Sequence, residues 1–287
     1  MNSPQSNPLT FLFSTRSNLP FLQRLRLVWH FYALVRKKKR GKIVPRQFAY
    51  LYKALGEREE IPGVLRFLLR SHPALSFSQR LSLVGRFFAI SLRVECPHAQ
   101  YEILHFVDAL LRMPQDIAGC VVEAGCYKGG STAKFSIAAS VVNRELLVFD
   151  SFAGLPDHDE RVVRPGSYQG GFDEVKKNVA KFGDLSICRF IKGWFAETMP
   201  GFSKPISAMF LDVDLSTSTR TCLKHLYPLL VPEGVLVSHD GHLPAVMEVY
   251  NDQAFWETEV GCPRPAIERI GKRLVRIVKS PIDGQKN

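Results

Sequence analysis

Two short stretches carry the groups best able to do chemistry, Asp212-Val213-Asp214 and His239-Asp240. Alternation along a strand would turn Asp212 and Asp214 to one side, and two adjacent ligating groups at the next strand end could complete a divalent-ion site. Such an ion would orient a hydroxyl and lower its pKa. Oxygen ligands suit magnesium, whereas the imidazole of His239 shifts preference toward zinc, iron, nickel or copper. Without a metal, His239 or His242 would act as general base.

A second stretch is shaped to hold a ligand. Val121-Val122-Glu123-Ala124-Gly125-Cys126-Tyr127-Lys128-Gly129-Gly130-Ser131-Thr132 reads as a buried strand, a turn with three glycines, and a helix opening on Ser131. Glycine lets a backbone approach a ligand closely, and a helix N-terminus offers free N–H groups to a polar one. The E-x-G-x-x-x-G-G spacing fits neither the dinucleotide fingerprint nor the phosphate loop. Leu146-Leu147-Val148-Phe149 then ends in Asp150-Ser151, with Asp150 placed 25 positions after Gly125. An acid there grips ribose hydroxyls in doubly wound sheets, so the pair of signals predicts a ribose-bearing cofactor. Glu123 could share that role or be an internal structural acid.

Four blocks, EAGCYKGGST, VFDSFAGLPD, GWFAETMP and LDVDLSTSTRTCLKHLYPLLVPEGVLVSHD, resemble the macrocin O-methyltransferase family, class I S-adenosylmethionine-dependent enzymes of natural-product sugar methylation. The resemblance runs over roughly residues 95 to 280. It implies S-adenosylmethionine as cofactor, bound by Glu123, Gly125, Tyr127, Gly129, Gly130, Ser131, Asp150, Ser151, Gly193, Trp194, Phe195 and Asp212. Trp194 and Phe195 would flank the adenine, with a core tryptophan as the alternative. It also implies metal ligands at Asp212, His239 and Asp240, magnesium being usual in the family. The catalytic candidates are Asp212 or Asp214 acting through the metal, and His239 without it. The chain departs from the family's Asp-Asp pair at His239-Asp240, which leaves metal identity and occupancy open. A loop from Pro156 to Phe172 would form a lid.

The elements that must position these groups alternate. Strand and helix signals succeed one another from residue 119 to 280, and AIERIGKRLVRIVK reads as two strands around Gly271. We expect an α/β fold with a doubly wound, Rossmann-like sheet, mostly parallel with an antiparallel C-terminal strand, preceded by a helical N-terminal extension. The expected division is a disordered 1–18, a basic amphipathic helix and helical cap over 19–115, and a methyltransferase domain over 116–287. Helical periodicity covers 44–55, 61–72, 76–94 and 99–113, with serines at 76 and 78 as caps.

Residues 1–56 hold eleven Lys or Arg and no acid, so the net charge of +11 resides there. A helix from Pro20 with an aromatic face, closed by five bases from Arg36 to Arg40, suits an anionic membrane surface through residues 20–42, or packing against the catalytic domain or a second copy. No nucleic-acid motif accompanies the charge. Six cysteines without C-x-x-C pairing and no apolar run of about 18 residues predict a cytoplasmic chain, peripheral at most to a membrane. The expected activity is methyl transfer to a hydroxyl of a sugar, natural product or glycan. The rivals are a catalytically inactive methyltransferase-fold scaffold at a membrane surface and an NAD oxidoreductase, against which the missing G-x-G-x-x-G speaks.

Overall fold

Cys120-Val121-Val122 and Leu146-Leu147-Val148-Phe149 are apolar on both sides of a strand, a pattern stable only where helices cover both faces of a sheet. The structure, a computed structural model, describes residues 59–160 and 164–281. Its main elements begin with helices α1 (Glu60–Leu69), α2 (Phe77–Ser91) and α3 (Gln100–Arg112). There follow β1 (Cys120–Ala124), α4 (Gly130–Val141), β2 (Leu146–Asp150), α5 (Phe172–Phe182), β3 (Cys188–Lys192) and the short α6 (Phe195–Thr198). The chain continues through β4 (Ile206–Leu211), α7 (Ser216–Leu226), β5 (Leu230–Ser238), α8 (Pro244–Asn251), β6 (Glu268–Ile270) and β7 (Leu274–Val278).

The seven strands lie in the order β3-β2-β1-β4-β5-β7-β6. Strands β1 to β5 are parallel, and β7 runs antiparallel to both β5 and β6. This is the doubly wound sheet with an antiparallel C-terminal end that the sequence predicts. The order reverses between β1 and β4, which opens a crevice at their carboxyl ends.

Alternate residues of each strand serve two cores. Val121, Val148, Phe210 and Val237 face a cluster that also holds Phe67, Phe87, Phe106 and Phe135 from α1 to α4. Val122, Phe149, Leu211 and Leu236 face the other, with Leu223, Val246, Tyr250 and Trp256. Phe106, Phe135 and Phe210 meet at centroid distances of 4.8 to 5.4 Å, so the helices preceding β1 share the sheet's own core.

Local signals explain the helix entrances. Ser76 caps α2, its hydroxyl accepting from the Gln79 amide while the Gln79 side chain accepts from the Ser76 amide. Buried Glu60 accepts from the Gln100 and Tyr101 amides and thereby caps α3 from α1. The reading of 212–214 as strand is corrected: β4 ends at Leu211, and Asp214 has φ +60. One carboxylate oxygen of Asp240 draws in the Val213 and Asp214 amides at 2.8 and 3.0 Å, which turns the chain out of the strand.

The basic N-terminal segment, the predicted helices from Pro20 and over 44–55, residues 161–163 of the expected lid and residues 282–287 lie outside the described residues. Among the described residues no helix is long and apolar enough to cross a membrane. Cys96, Cys120, Cys126, Cys188, Cys222 and Cys262 are all unpaired thiols.

Candidate active site

The carboxyl ends of β1 to β5 surround a cavity of about 380 Å³, a size suited to a small molecule. One side of it is built largely from backbone. Gly125 has φ +82, and a Cβ there would stand 2.0 Å from the Asp212 carbonyl oxygen, so only glycine lets the β1 turn close on the end of β4. Asp150 ties two turns together: its Oδ2 accepts from the Cys126 amide and its Oδ1 from the Phe152 amide, both at 2.7 Å. A carboxylate has about four acceptor positions, so capacity remains for ligand hydroxyls. Trp194 stands 38% exposed at the cavity beside Gly193 and Phe195.

The loop entering α5 crosses this side at a close approach. A Cβ on Gly170 would fall 1.7 Å from the Tyr127 carbonyl oxygen, so this loop lies directly on the glycine-rich turn. Tyr127 and Tyr168 meet edge to face at 5.7 Å, and both line the cavity.

The opposite side is built from side chains. Asp212 Oδ1 lies 3.1 Å from His239 Nδ1, and Asp212 Oδ2 lies 2.9 Å from His98 Nε2. His239 Nε2 faces Glu102 Oε2 at 3.1 Å, and Glu102 Oε2 also accepts from the Ala99 amide at 2.8 Å. His98 Nδ1 contacts Cys96 Sγ at 3.3 Å, and Lys134 Nζ stands 3.7 Å behind that sulfur.

Burial disfavours charge throughout this cluster, and mutual attraction reverses it. The Asp212 carboxyl is held well below its usual range because His239 and His98 outweigh burial. His239 rises to about 9 against burial, through Asp212 and its Glu102 contact, and Glu102 falls to about 2 against burial, through His239. Cys96 is drawn down to about 6 because Lys134 and His98 overcome burial. Two carboxyls go the other way: burial and the Asp212 charge lift Asp214 to about 7 and hold Asp240 well above its usual range.

Of the residues expected to bind cofactor, the cavity is lined by Gly125, Tyr127, Asp150, Ser151, Gly193, Trp194, Phe195 and Asp212. Glu123 lies fully buried within β1, and burial pushes its carboxyl up to about 8 against the opposing pull of the Ser131 and Thr132 hydroxyls. Gly129 and Gly130 pack beneath the turn, where added Cβ atoms would meet Val175 at 3.0 Å and Cys96 at 2.8 Å, and Ser131 is buried beside them. Asp212, Asp214 and His239 line the cavity together, as does His242.

The three expected metal ligands divide. Ligand atoms converge in two sets, His98 with Asp212 and His239, and Asp212 with Asp214 and Asp240. Sequence reasoning missed His98, Cys96 and Glu102, which lie near the start of α3 and carry no spacing signal. Lys134 did leave a trace, as a lone cation in the apolar helix Thr132-Ala133-Lys134-Phe135.

The family's sequence profile, that of the macrocin-O-methyltransferases, matches residues 103–260, which takes in every strand from β1 to β5. The chain belongs to the macrocin-O-methyltransferase family. Within that family it is 30% identical over 151 residues to the 8-demethyl-8-(2,3-dimethoxy-alpha-L-rhamnosyl)-tetracenomycin-C 4'-O-methyltransferase of Streptomyces olivaceus, covering 47% of this chain and 58% of that protein. It is likewise 30% identical over 165 residues to the mycinamicin III 3''-O-methyltransferase of Micromonospora griseorubida, covering 52% of this chain and 64% of that protein. In each case the match spans less than two thirds of the relative.

Solved structures agree on the fold. The O-methyltransferase NovP superposes with a TM-score of 0.53 at 19% identity over 88% of this chain and all of that one. The calicheamicin methyltransferase CalS11 gives 0.53 at 19% over 83% of this chain and 98% of that one. Two of the four macrocin-type blocks, the glycine turn and the Asp212 to Asp240 region, fall at the carboxyl ends of the strands.

Proposed function

We propose that this chain is an S-adenosylmethionine-dependent O-methyltransferase acting on a sugar hydroxyl of a natural product or glycan. The observation that carries the reading is one cavity, at the switch point of the sheet, bounded on one side by the Gly125 turn and Asp150 and on the other by Asp212, Asp214 and His239. Its membership of a macrocin-type family and the sugar-modifying names of its relatives support the acceptor class.

In this reading Asp150 holds the ribose hydroxyls, the Gly125 turn the methionyl portion, and Trp194 with Phe195 the adenine. The sulfonium already activates the methyl group, so the protein's task is alignment and exclusion of water. When bound, S-adenosylmethionine would supply an activated methyl group for in-line transfer to the acceptor oxygen, with S-adenosylhomocysteine as the leaving group. Asp214 takes the hydroxyl proton: its carboxyl, lifted to about 7, is half ionised near neutral pH, which suits a general base. His239 does not suit that role, since both its ring nitrogens face carboxylates and it stays protonated up to about 9.

His98, Asp212 and His239 fit a divalent ion, being three convergent donors on which it would be held. When bound, such an ion would polarise the acceptor hydroxyl. The basic segment 20–42 would suit a lipid-linked acceptor, and unchanged sedimentation with anionic vesicles after deletion of residues 1–42 would remove that refinement.

Turnover is tested with S-adenosylmethionine labelled on the methyl group and a panel of rhamnosylated aromatic polyketides, glycosylated macrolides and nucleotide sugars. Label should pass to at least one glycosylated acceptor, with a rate that rises through pH 7 in wild type and collapses in Asp214→Asn. Cofactor binding without transfer to any acceptor would instead favour the scaffold reading.

A further inference from the structure

We propose that this chain binds a divalent transition-metal ion of the zinc, cobalt or iron(II) class, not magnesium, on His98 Nε2, His239 Nδ1 and Asp212. Asp240 then serves as a backbone clamp and not as a ligand. The inference deepens the methyltransferase reading and rests on it for the ion's purpose, though not for its binding.

The three donors come from separate segments: the turn before α3, the end of β4 and the end of β5. His98 Nε2 and His239 Nδ1 lie 2.9 and 3.1 Å from the two oxygens of Asp212. Ligands bonded at about 2.0–2.1 Å to one zinc-like ion stand roughly 3 Å apart, so these separations already match the edges of a coordination shell. The imidazoles cross at 71° with centroids 4.5 Å apart, which aims their nitrogens at the same carboxylate from two directions.

Two further observations point to a ligand. His98 is buried, 3% exposed, with its Nε2 facing Asp212 Oδ2 at 2.9 Å, where an ion would bridge the two. In addition, the far nitrogen of each ring has its own partner, Cys96 Sγ for His98 Nδ1 and Glu102 Oε2 for His239 Nε2. Metal-binding histidines are held in this way, the outer nitrogen fixing the tautomer that frees the inner one.

The donor set chooses the ion. Two imidazoles and one carboxylate suit borderline transition metals, whereas magnesium prefers an all-oxygen octahedral shell that keeps several waters. The competing set of Asp212, Asp214 and Asp240 is compromised as an oxygen site. Asp240 Oδ2 is occupied by two amides, and releasing them would undo the turn that shapes residues 213–214, so Asp240 could offer that set only its buried Oδ1.

The test uses the full chain, stripped with EDTA and dialysed, titrated with zinc, cobalt(II) or magnesium chloride by calorimetry. Metal content is then counted by plasma mass spectrometry after gel filtration. One zinc or cobalt ion per chain should bind at least 100-fold more tightly than magnesium. Loss should be at least 100-fold in His98→Ala and 10- to 100-fold in Glu102→Gln, a partner of a ligand, with little change in Asp214→Asn.

Should His98→Ala not fold, the wild type still decides: spin-echo spectra of the copper(II)-loaded chain should show imidazole nitrogen coupling. Magnesium binding as tightly as zinc, dependence on Asp214 in place of His98, absence of nitrogen coupling, or no ion bound would each overturn the proposal. S-adenosylmethionine binding by the stripped chain separates the two readings. If cofactor binds and zinc does not, this inference alone fails; if zinc binds and cofactor does not, the methyltransferase reading fails and the metal site stands.

Discussion

The two walls of the cavity are made from different materials. On the β1–β2 side, shape comes from backbone: a glycine at φ +82 against the Asp212 carbonyl, and two amides gathered by Asp150. On the β4–β5 side, shape comes from side chains, with His98, Glu102, Asp212 and His239 linked by contacts of 2.9 to 3.1 Å. A backbone wall tolerates side-chain changes and fails when a Cβ intrudes. A side-chain wall has the opposite vulnerability, because each buried charge depends on its neighbour.

The largest effect should therefore come from removing one charge of the second wall. Glu102→Ala leaves the His239 imidazolium facing a void and should cost roughly 3–5 kcal/mol of stability, read as a lowered midpoint in urea. A cost under about 1 kcal/mol would show that the wall is not held by ion pairing. Gly125→Ala should cost about 2–4 kcal/mol through positive φ and the 2.0 Å approach to Asp212. If it were silent, the first wall would not be backbone-limited.

Glu123 sharpens the contrast, being an acid fully buried behind the first wall. Its carboxyl is raised from 4.5 to about 8 by burial, so the folded state holds its proton longer than the unfolded state. Its stabilising contribution is whole below pH 4.5 and falls as pH rises through about 8. Glu123→Gln should accordingly be near neutral at pH 4.5 and more stable than wild type by several kcal/mol at pH 8.5, seen by thermal melts at both values. Equal effects at the two pH values would contradict a buried neutral acid. The smallest effect belongs to Trp194→Ala: exposed and stacking only, it should weaken cofactor binding about tenfold, or ~1.4 kcal/mol.

The same contrast explains what was legible in the sequence. The backbone wall is written locally: strand, Gly125 turn and helix lie within a dozen residues, and Asp150 ends the next apolar run, so fold and turn were both readable. The antiparallel end was readable too, from two short runs around Gly271. The side-chain wall joins residues 98, 102, 212 and 239, and only the last two carried a recognisable pattern. His98 follows Cys96-Pro97 at a helix entrance, where a histidine is ordinary, and nothing local shows that α3 docks against the end of β5. The Asp212-Val213-Asp214 alternation misled for the same reason. The amides of 213 and 214 are captured by Asp240, 26 residues beyond Asp214, a contact that strand periodicity cannot anticipate.

The central claim is that the first wall holds S-adenosylmethionine. Calorimetry of wild type and Asp150→Ala with S-adenosylmethionine and S-adenosylhomocysteine tests it most directly, with thermal melts of both proteins to confirm folding. The account predicts binding at micromolar concentrations in wild type and a loss of 100-fold or more, about 2.7 kcal/mol, in a folded Asp150→Ala. No binding to wild type, or equal binding to a folded Asp150→Ala, would contradict it.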